Sequence, residues 1–165
     1  MAYDIDFVKK ADLKLHIRKF LLYPSNWSDV TKQIPYPLKW RSYKFLKTNR
    51  NKIPNRKGIY CFVLKPIVDN FFETNYLFYV GKTKRTLNIR YSEYLDDQNG
   101  KGKPRPKVFE MLKLYEGNLH FYFIEISNNN HIDEIEEKLL NIFVPQINVS
   151  IPEAKISPEL MYIYE

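Results

Sequence analysis

Two short runs of strand-forming residues stand close together near the middle of the chain, Gly58 to Lys65 (GIYCFVLK) and Tyr76 to Val80 (YLFYV). Each is rich in aromatic and branched side chains, and a polar stretch with Asp69, Asn70, Glu73 and Asn75 divides them. Runs of this length and composition read as strands, here as antiparallel neighbours. A helix is expected over residues 86–97, where Leu87, Tyr91, Tyr94 and Leu95 share a face, and Gly100 to Pro106 breaks it. A second helix follows from Lys107 to Tyr115. Leu119 to Ile126 (LHFYFIEI) alternates well enough to be a half-buried third strand. Asn128 to Asn130 forms a turn suited to capping a last helix from His131 to Phe143, which stops near Pro145. The order β-β-α-α-β-α predicts an α+β fold, a small three-stranded antiparallel sheet flanked by helices.

Ahead of these elements the chain changes character. Residues 1–57 carry 14 basic and 4 acidic side chains, a net +10, whereas residues 58–165 carry 12 and 15, a net −3. The segment opens with a helix in which Phe7, Ala11, Leu15 and Lys19 or Phe20 fall near one face, with Lys9, Lys10, Lys14 and Arg18 around it. Residues 24–57 mix Pro, Asn and Lys with Trp27, Tyr36, Trp40, Tyr43 and Phe45 and hold no sustained period. Basic residues among aromatics bind nucleic acid by charge and stacking; equally, the aromatics can pack on the core as an ordered cap. The chain therefore divides into a basic extension (1–57), a core (58–148) and a tail (149–165). At 165 residues this is the size of one ordinary domain.

The last helix carries the clearest physical argument for a site. Ile132, Ile135, Leu139, Ile142 and Phe143 define its apolar side, Glu136 borders that stripe, and Glu134 and Glu137 lean toward solvent. A carboxylate next to a core costs several kcal/mol unless it is paired or binds a metal. Glu136 thus demands a cationic partner, either a nearby Lys or Arg or a metal ion.

Gly58-Ile59-Tyr60, Tyr79-Val80-Gly81, Lys82, Arg90, Tyr94, Glu136 and Asn148 together resemble the GIY-YIG nuclease family over about half the chain. Each motif alone is weak, and seven positions in the right order make a strong signal. In the family the first tripeptide ends in a tyrosine, matching Tyr60, and the second opens with one, matching Tyr79. Lys82 follows the second glycine directly, as in the excision-repair branch. The helix arginine corresponds to Arg90, with Arg85 as its rival, and Tyr94 lies one turn on. The family glutamate, ahead of Pro and Asn, lines up with Glu136, Pro145 and Asn148. The segment between Tyr60 and Tyr79 is longer than usual, and Arg90 sits one residue further from Gly81 than in several members.

The resemblance implies a metal-dependent DNA endonuclease, of the restriction type or serving a mobile element, that hydrolyses phosphodiester bonds. Glu136 would bind one divalent cation, magnesium or another such as manganese, and Arg90 would hold the scissile phosphate. Tyr60 or Tyr79 would act as general base if Lys82 or metal-bound water lowers its phenol pKa. Tyr94 would hydrogen-bond a phosphate oxygen or the attacking water, and Asn148 would position Glu136 or the backbone. Gly58 and Gly81 let strands and phosphate approach. Candidate DNA contacts are Lys84, Arg85, Lys101, Lys103, Arg105, Lys107, Arg41 and Lys44, with double-stranded DNA as the expected partner. A homodimer is compatible with this reading, and the alternative is a non-catalytic nucleic-acid-binding module on the same fold.

Other residues rank lower. His16, His120 and His131 lack metal-ligand spacing, and Cys61 sits within a strand where a buried, inert thiol is expected. A single cysteine precludes an intrachain disulfide. With no secretory pattern and no apolar run near 20 residues, the expected location is the cytoplasm, without a membrane partner.

Overall fold

The computed structural model describes residues 7–151 and 153–165, leaving the side chains of residues 7–11 outside the description. The face assigned to Phe7 and Ala11, with Lys9 and Lys10, falls on those side chains. Four strands form one antiparallel sheet: β1 (Arg41–Lys44), β2 (Gly58–Leu64), β3 (Tyr76–Thr83) and β4 (Leu119–Glu125), in the order β1-β4-β2-β3. Five α-helices accompany it: α1 (Phe7–His16), α2 (Pro24–Ser28), α3 (Leu87–Gln98), α4 (Pro106–Leu114) and α5 (Asn129–Phe143).

The α+β class is as expected, but the sheet has four strands rather than three. The added strand comes from the basic segment, where Arg41 pairs with Phe123 and Lys44 with His120. Without it β4 would be an open edge, a row of unpaired backbone groups. Side chains reinforce the pairing: Tyr43 stacks on Phe123, and the Phe45 backbone N–H donates to the Leu119 carbonyl at 2.8 Å. Phe45 itself is buried, edge-on to Phe62 and Tyr91. Trp40 and Tyr36 pack against the core as well, so most of the arm's aromatics serve as a cap, while Trp27 is half-exposed. Residue 57 is therefore not a structural boundary.

Alternation along the strands sorts the core into two layers. On one face Tyr60, Phe62, Phe121 and Phe123 pack with Leu87, Tyr91 and Tyr94 of α3 and Val108, Met111 and Leu112 of α4. On the other, Ile59, Cys61, Val80 and Ile124 meet Ile132, Ile135, Leu139 and Leu140 of α5. Phe143, placed by its spacing on the apolar side of α5, is 43% exposed. Cys61 is buried, as expected of a strand interior.

Local chemistry sets the ends of the helices. The Thr86 hydroxyl accepts the Ile89 N–H at 3.1 Å to start α3, and the Asn128 side chain accepts from Asn130 and His131 to start α5. Helix α5 closes on Val144, buried and in the left-handed region at φ 44°, before Pro145 turns the chain away. A branched residue rarely adopts that conformation, and here it steers residues 145–148 along the outer edge of β3. Helix α1 ends at His16, before Lys19 and Phe20 can continue its face, and Leu15 is half-exposed. Tertiary contacts take over there: Arg18 reaches Glu110 at 2.7 Å and Phe20 stacks on Phe78. Among the described residues no helix is long and apolar enough to cross a membrane.

Candidate active site

The site is organised by two glycines and by the end of β3. Strand β3 continues to Thr83, past the expected stop at Val80, because Gly81, Lys82 and Thr83 pair with Tyr60, Ile59 and Gly58. A Cβ on Gly58 would lie 1.9 Å from the Ile124 carbonyl oxygen, so only glycine lets β4 approach there. A Cβ on Gly81 would fall 2.5 Å from the Tyr60 ring carbon and hydroxyl. The bare backbone of Gly81 is what gives the Tyr60 ring its place.

Over Gly81 lies a cluster of phenols and guanidinium groups. The Tyr60 and Tyr94 hydroxyls are 3.0 Å apart, and Arg90 donates through Nε to Tyr60 at 3.0 Å and through a terminal nitrogen to Tyr94 at 3.3 Å. Tyr94 follows Arg90 by four positions, which stacks both on one face of α3. Arg105, just ahead of α4, donates to Tyr79 at 3.3 Å and to Tyr94 at 3.4 Å. Burial pushes the Tyr60 and Tyr94 phenols far above their ordinary range, with the Arg90 charge only partly opposing it. Both hydroxyls are neutral at neutral pH, so Tyr60 is not a ready base in this arrangement. Burial also works against the charge of Arg90, but contacts with Tyr60, Tyr94 and Glu93 outweigh it and keep the guanidinium protonated.

The next residue along β3 faces the other layer. Lys82 places its ammonium 2.7 Å from Glu136 and 2.9 Å from Asp133, and Lys84 holds the second oxygen of Asp133 at 2.7 Å. Asp133 and Glu136 are three residues apart on α5, so both carboxylates converge on one cation. Burial raises Glu136 above its usual carboxylate range despite the opposing pull of Lys82, its side chain being 13% exposed. Asp133, more open, is drawn down to about 2 by Lys84 and Lys82. Lys82 therefore neutralises carboxylates, and among the described residues it makes no hydrogen bond to a phenol, contrary to the expected lowering of a tyrosine pKa. Asp133 and Glu136 are the hard oxygen donors of this corner, here paired to lysines, and among the described residues no group of three or more His, Cys, Asp or Glu is gathered as a metal site.

Asn148 has a clear task. Its amide accepts the Val80 N–H at 2.8 Å and donates to the Val80 carbonyl at 2.7 Å, closing the outer edge of β3. Of the two expected roles, holding the backbone is the one observed. It fixes the strand one residue before Gly81.

The expected DNA contacts divide. Lys84 is bound to Asp133, Arg85 to Glu93 at 2.6 Å, Lys101 to Asp96 at 3.5 Å, and Arg41 to Glu125 while lying over the Phe123 ring. Lys103 and Lys107 are exposed, and Lys44 is half-buried in β1. Arg105, expected in a DNA-gripping loop, is joined to the tyrosine cluster. Sequence reasoning missed Asp133 and Glu93, which bridges Arg85 and Arg90. Each stands three residues from a chosen residue on its helix, Asp133 from Glu136 and Glu93 from Arg90, and that spacing was the available signal.

Compared with protein-family models, with curated proteins and with solved structures, the chain matches none. The site therefore stands on its own geometry: phenols and arginines above Gly81, carboxylates and lysines beside Lys82, two groups joined through consecutive residues of one edge strand.

Proposed function

We propose that this protein is a divalent-metal-dependent DNA endonuclease of the GIY-YIG kind, acting on double-stranded DNA. One observation carries the reading: Tyr60, Arg90 and Tyr94 are hydrogen-bonded into one cluster over Gly81, and the adjacent Lys82 pairs with Glu136. A purely structural core has little use for a half-buried arginine facing phenols.

In the proposed reaction a phosphate oxygen takes the place of Glu93 on the outer nitrogen of Arg90, exchanging one charge-assisted pair for another. Tyr94 steadies the same oxygen or the attacking water. Tyr79, whose hydroxyl accepts from Arg105, takes the proton from that water as its phenolate and returns to the phenol. Glu136 and Asp133 would hold the cation, which when bound supplies positive charge to the leaving oxygen. Lys82 orients the two carboxylates and shields them from each other. Asn148 keeps Val80, and with it Gly81, in register.

The test is incubation of supercoiled plasmid with magnesium, comparing wild type with Arg90→Ala and Glu136→Ala. Loss of nicking in both variants is the expected result. No wild-type cleavage across several DNA substrates, or full activity in Glu136→Ala, removes the reading.

A further inference from the structure

Arg105 is the residue whose surroundings the site described above does not account for. It is half-buried, yet its direct partners are two tyrosine hydroxyls and the face of the Tyr79 ring, 5.6 Å from ring centre to guanidinium. None of the ion pairs among the described residues involves it. Arg85 and Arg90, by contrast, share Glu93. A guanidinium removed from water without an anion is costly, and its neighbour Arg90 repels it.

The local charge count points the same way. Arg85, Arg90, Arg105 and Lys101 stand among three carboxylates, Glu93, Asp96 and Asp97, the last felt by both Arg90 and Arg105. One positive charge is left over, which is what a phosphodiester would balance. Backbone stiffness adds to the case. Arg105 stands between Pro104 and Pro106 at φ −63° and ψ 130°, the conformation that a following proline favours, so its side chain is presented from a fixed stem.

We propose that Arg105 is a second phosphate-holding cation of this site, sharing the Tyr94 hydroxyl with Arg90. The two guanidinium groups lie 3.3 and 3.4 Å from the same oxygen atom. A phosphate between them would receive planar N–H donors from two directions. The role rests on the nuclease reading above, and it gives that reading a two-armed grip on the substrate's phosphate.

Two measurements separate the claims. Thermal melts of the full chain without metal, across a series of inorganic phosphate concentrations, read anion binding; plasmid nicking with magnesium reads the reaction. Phosphate should raise the wild-type midpoint, and Arg105→Gln should bind it about tenfold or more weakly, the scale of one lost charge-assisted contact. Arg105→Lys should fall between, keeping the charge without the fork, and it carries the test if Arg105→Gln does not fold. Loss of phosphate binding in Arg105→Gln with no wild-type nicking supports the anion site and removes the nuclease. Wild-type nicking with phosphate affinity unchanged in both variants, or no phosphate effect on the wild type, overturns the role of Arg105.

Discussion

Replacing Gly81 by alanine tests the packing on which the site depends. The new methyl would sit 2.5 Å from the Tyr60 Cζ and hydroxyl. Tyr60 has nowhere to retreat: it is 1% exposed, stacked on Phe121 and hydrogen-bonded to both Tyr94 and Arg90. Overpacking of this kind costs about 1–3 kcal/mol. If the ring moves, the phenol pair is lost at about 1 kcal/mol and the Arg90 contact at about 1.5–3 kcal/mol. Together these give a destabilisation of about 3.5–7 kcal/mol, a large part of a typical domain's total stability. Urea unfolding of wild type, Gly81→Ala, Tyr60→Leu and the double variant measures it. The double variant should cost less than the two singles added, because the smaller side chain leaves room for the methyl. A Gly81→Ala protein within 1 kcal/mol of wild type, or strict additivity, refutes the reasoning.

Asn148→Ala strips both side-chain bonds from Val80 and should cost about 2–6 kcal/mol by chemical unfolding, since it leaves two buried backbone groups unpaired. Glu136→Gln should abolish plasmid nicking; magnesium should raise the melting midpoint of the wild type and leave that of the variant unmoved. At alkaline pH the buried tyrosines govern stability. Burial lifts Tyr91 to about 12, with the Leu46 N–H that donates to its hydroxyl opposing, and holds Tyr60 and Tyr94 high as well. Because these phenols stay neutral in the fold while the unfolded chain ionises near its ordinary value of about 10, their contribution is intact below pH 10 and is lost as pH rises toward 12 and beyond. Tyrosinate absorbance should therefore show the three titrating together with loss of the far-ultraviolet signal; separate titration in a folded protein would contradict their burial.

Most of the core was legible because its elements are contiguous and strongly patterned. GIYCFVL and LHFYFIE are long enough to state their own conformation, and Asn128 announces the start of α5. Glu136 was legible from helix phase alone. Strand β1 was not: RSYK is four residues, three of them polar or charged, in a stretch with no period, and its conformation is imposed by pairing with β4. The same holds for Gly81 to Thr83, which are poor strand formers held by their partners on β2. The partners of Arg105 were hidden for a related reason. A basic residue between prolines in a Gly-rich loop looks solvated, and only the approach of the 99–105 loop to α3 brings it to Tyr79 and Tyr94.

The pairing of β1 with β4 also orders events during synthesis. Arg41 leaves the ribosome well before Phe123, the residue opposite it, which lies 82 positions later in the chain. At typical elongation rates of about 5–20 residues per second, that first-made strand waits roughly 4–16 s for its partner. The β2–β3 hairpin, by contrast, closes within a short stretch and can form early. The basic segment thus waits for a late-made partner although it is among the first to be made. For those seconds its lysines and arginines are free of the sheet and open to any polyanion near the nascent chain.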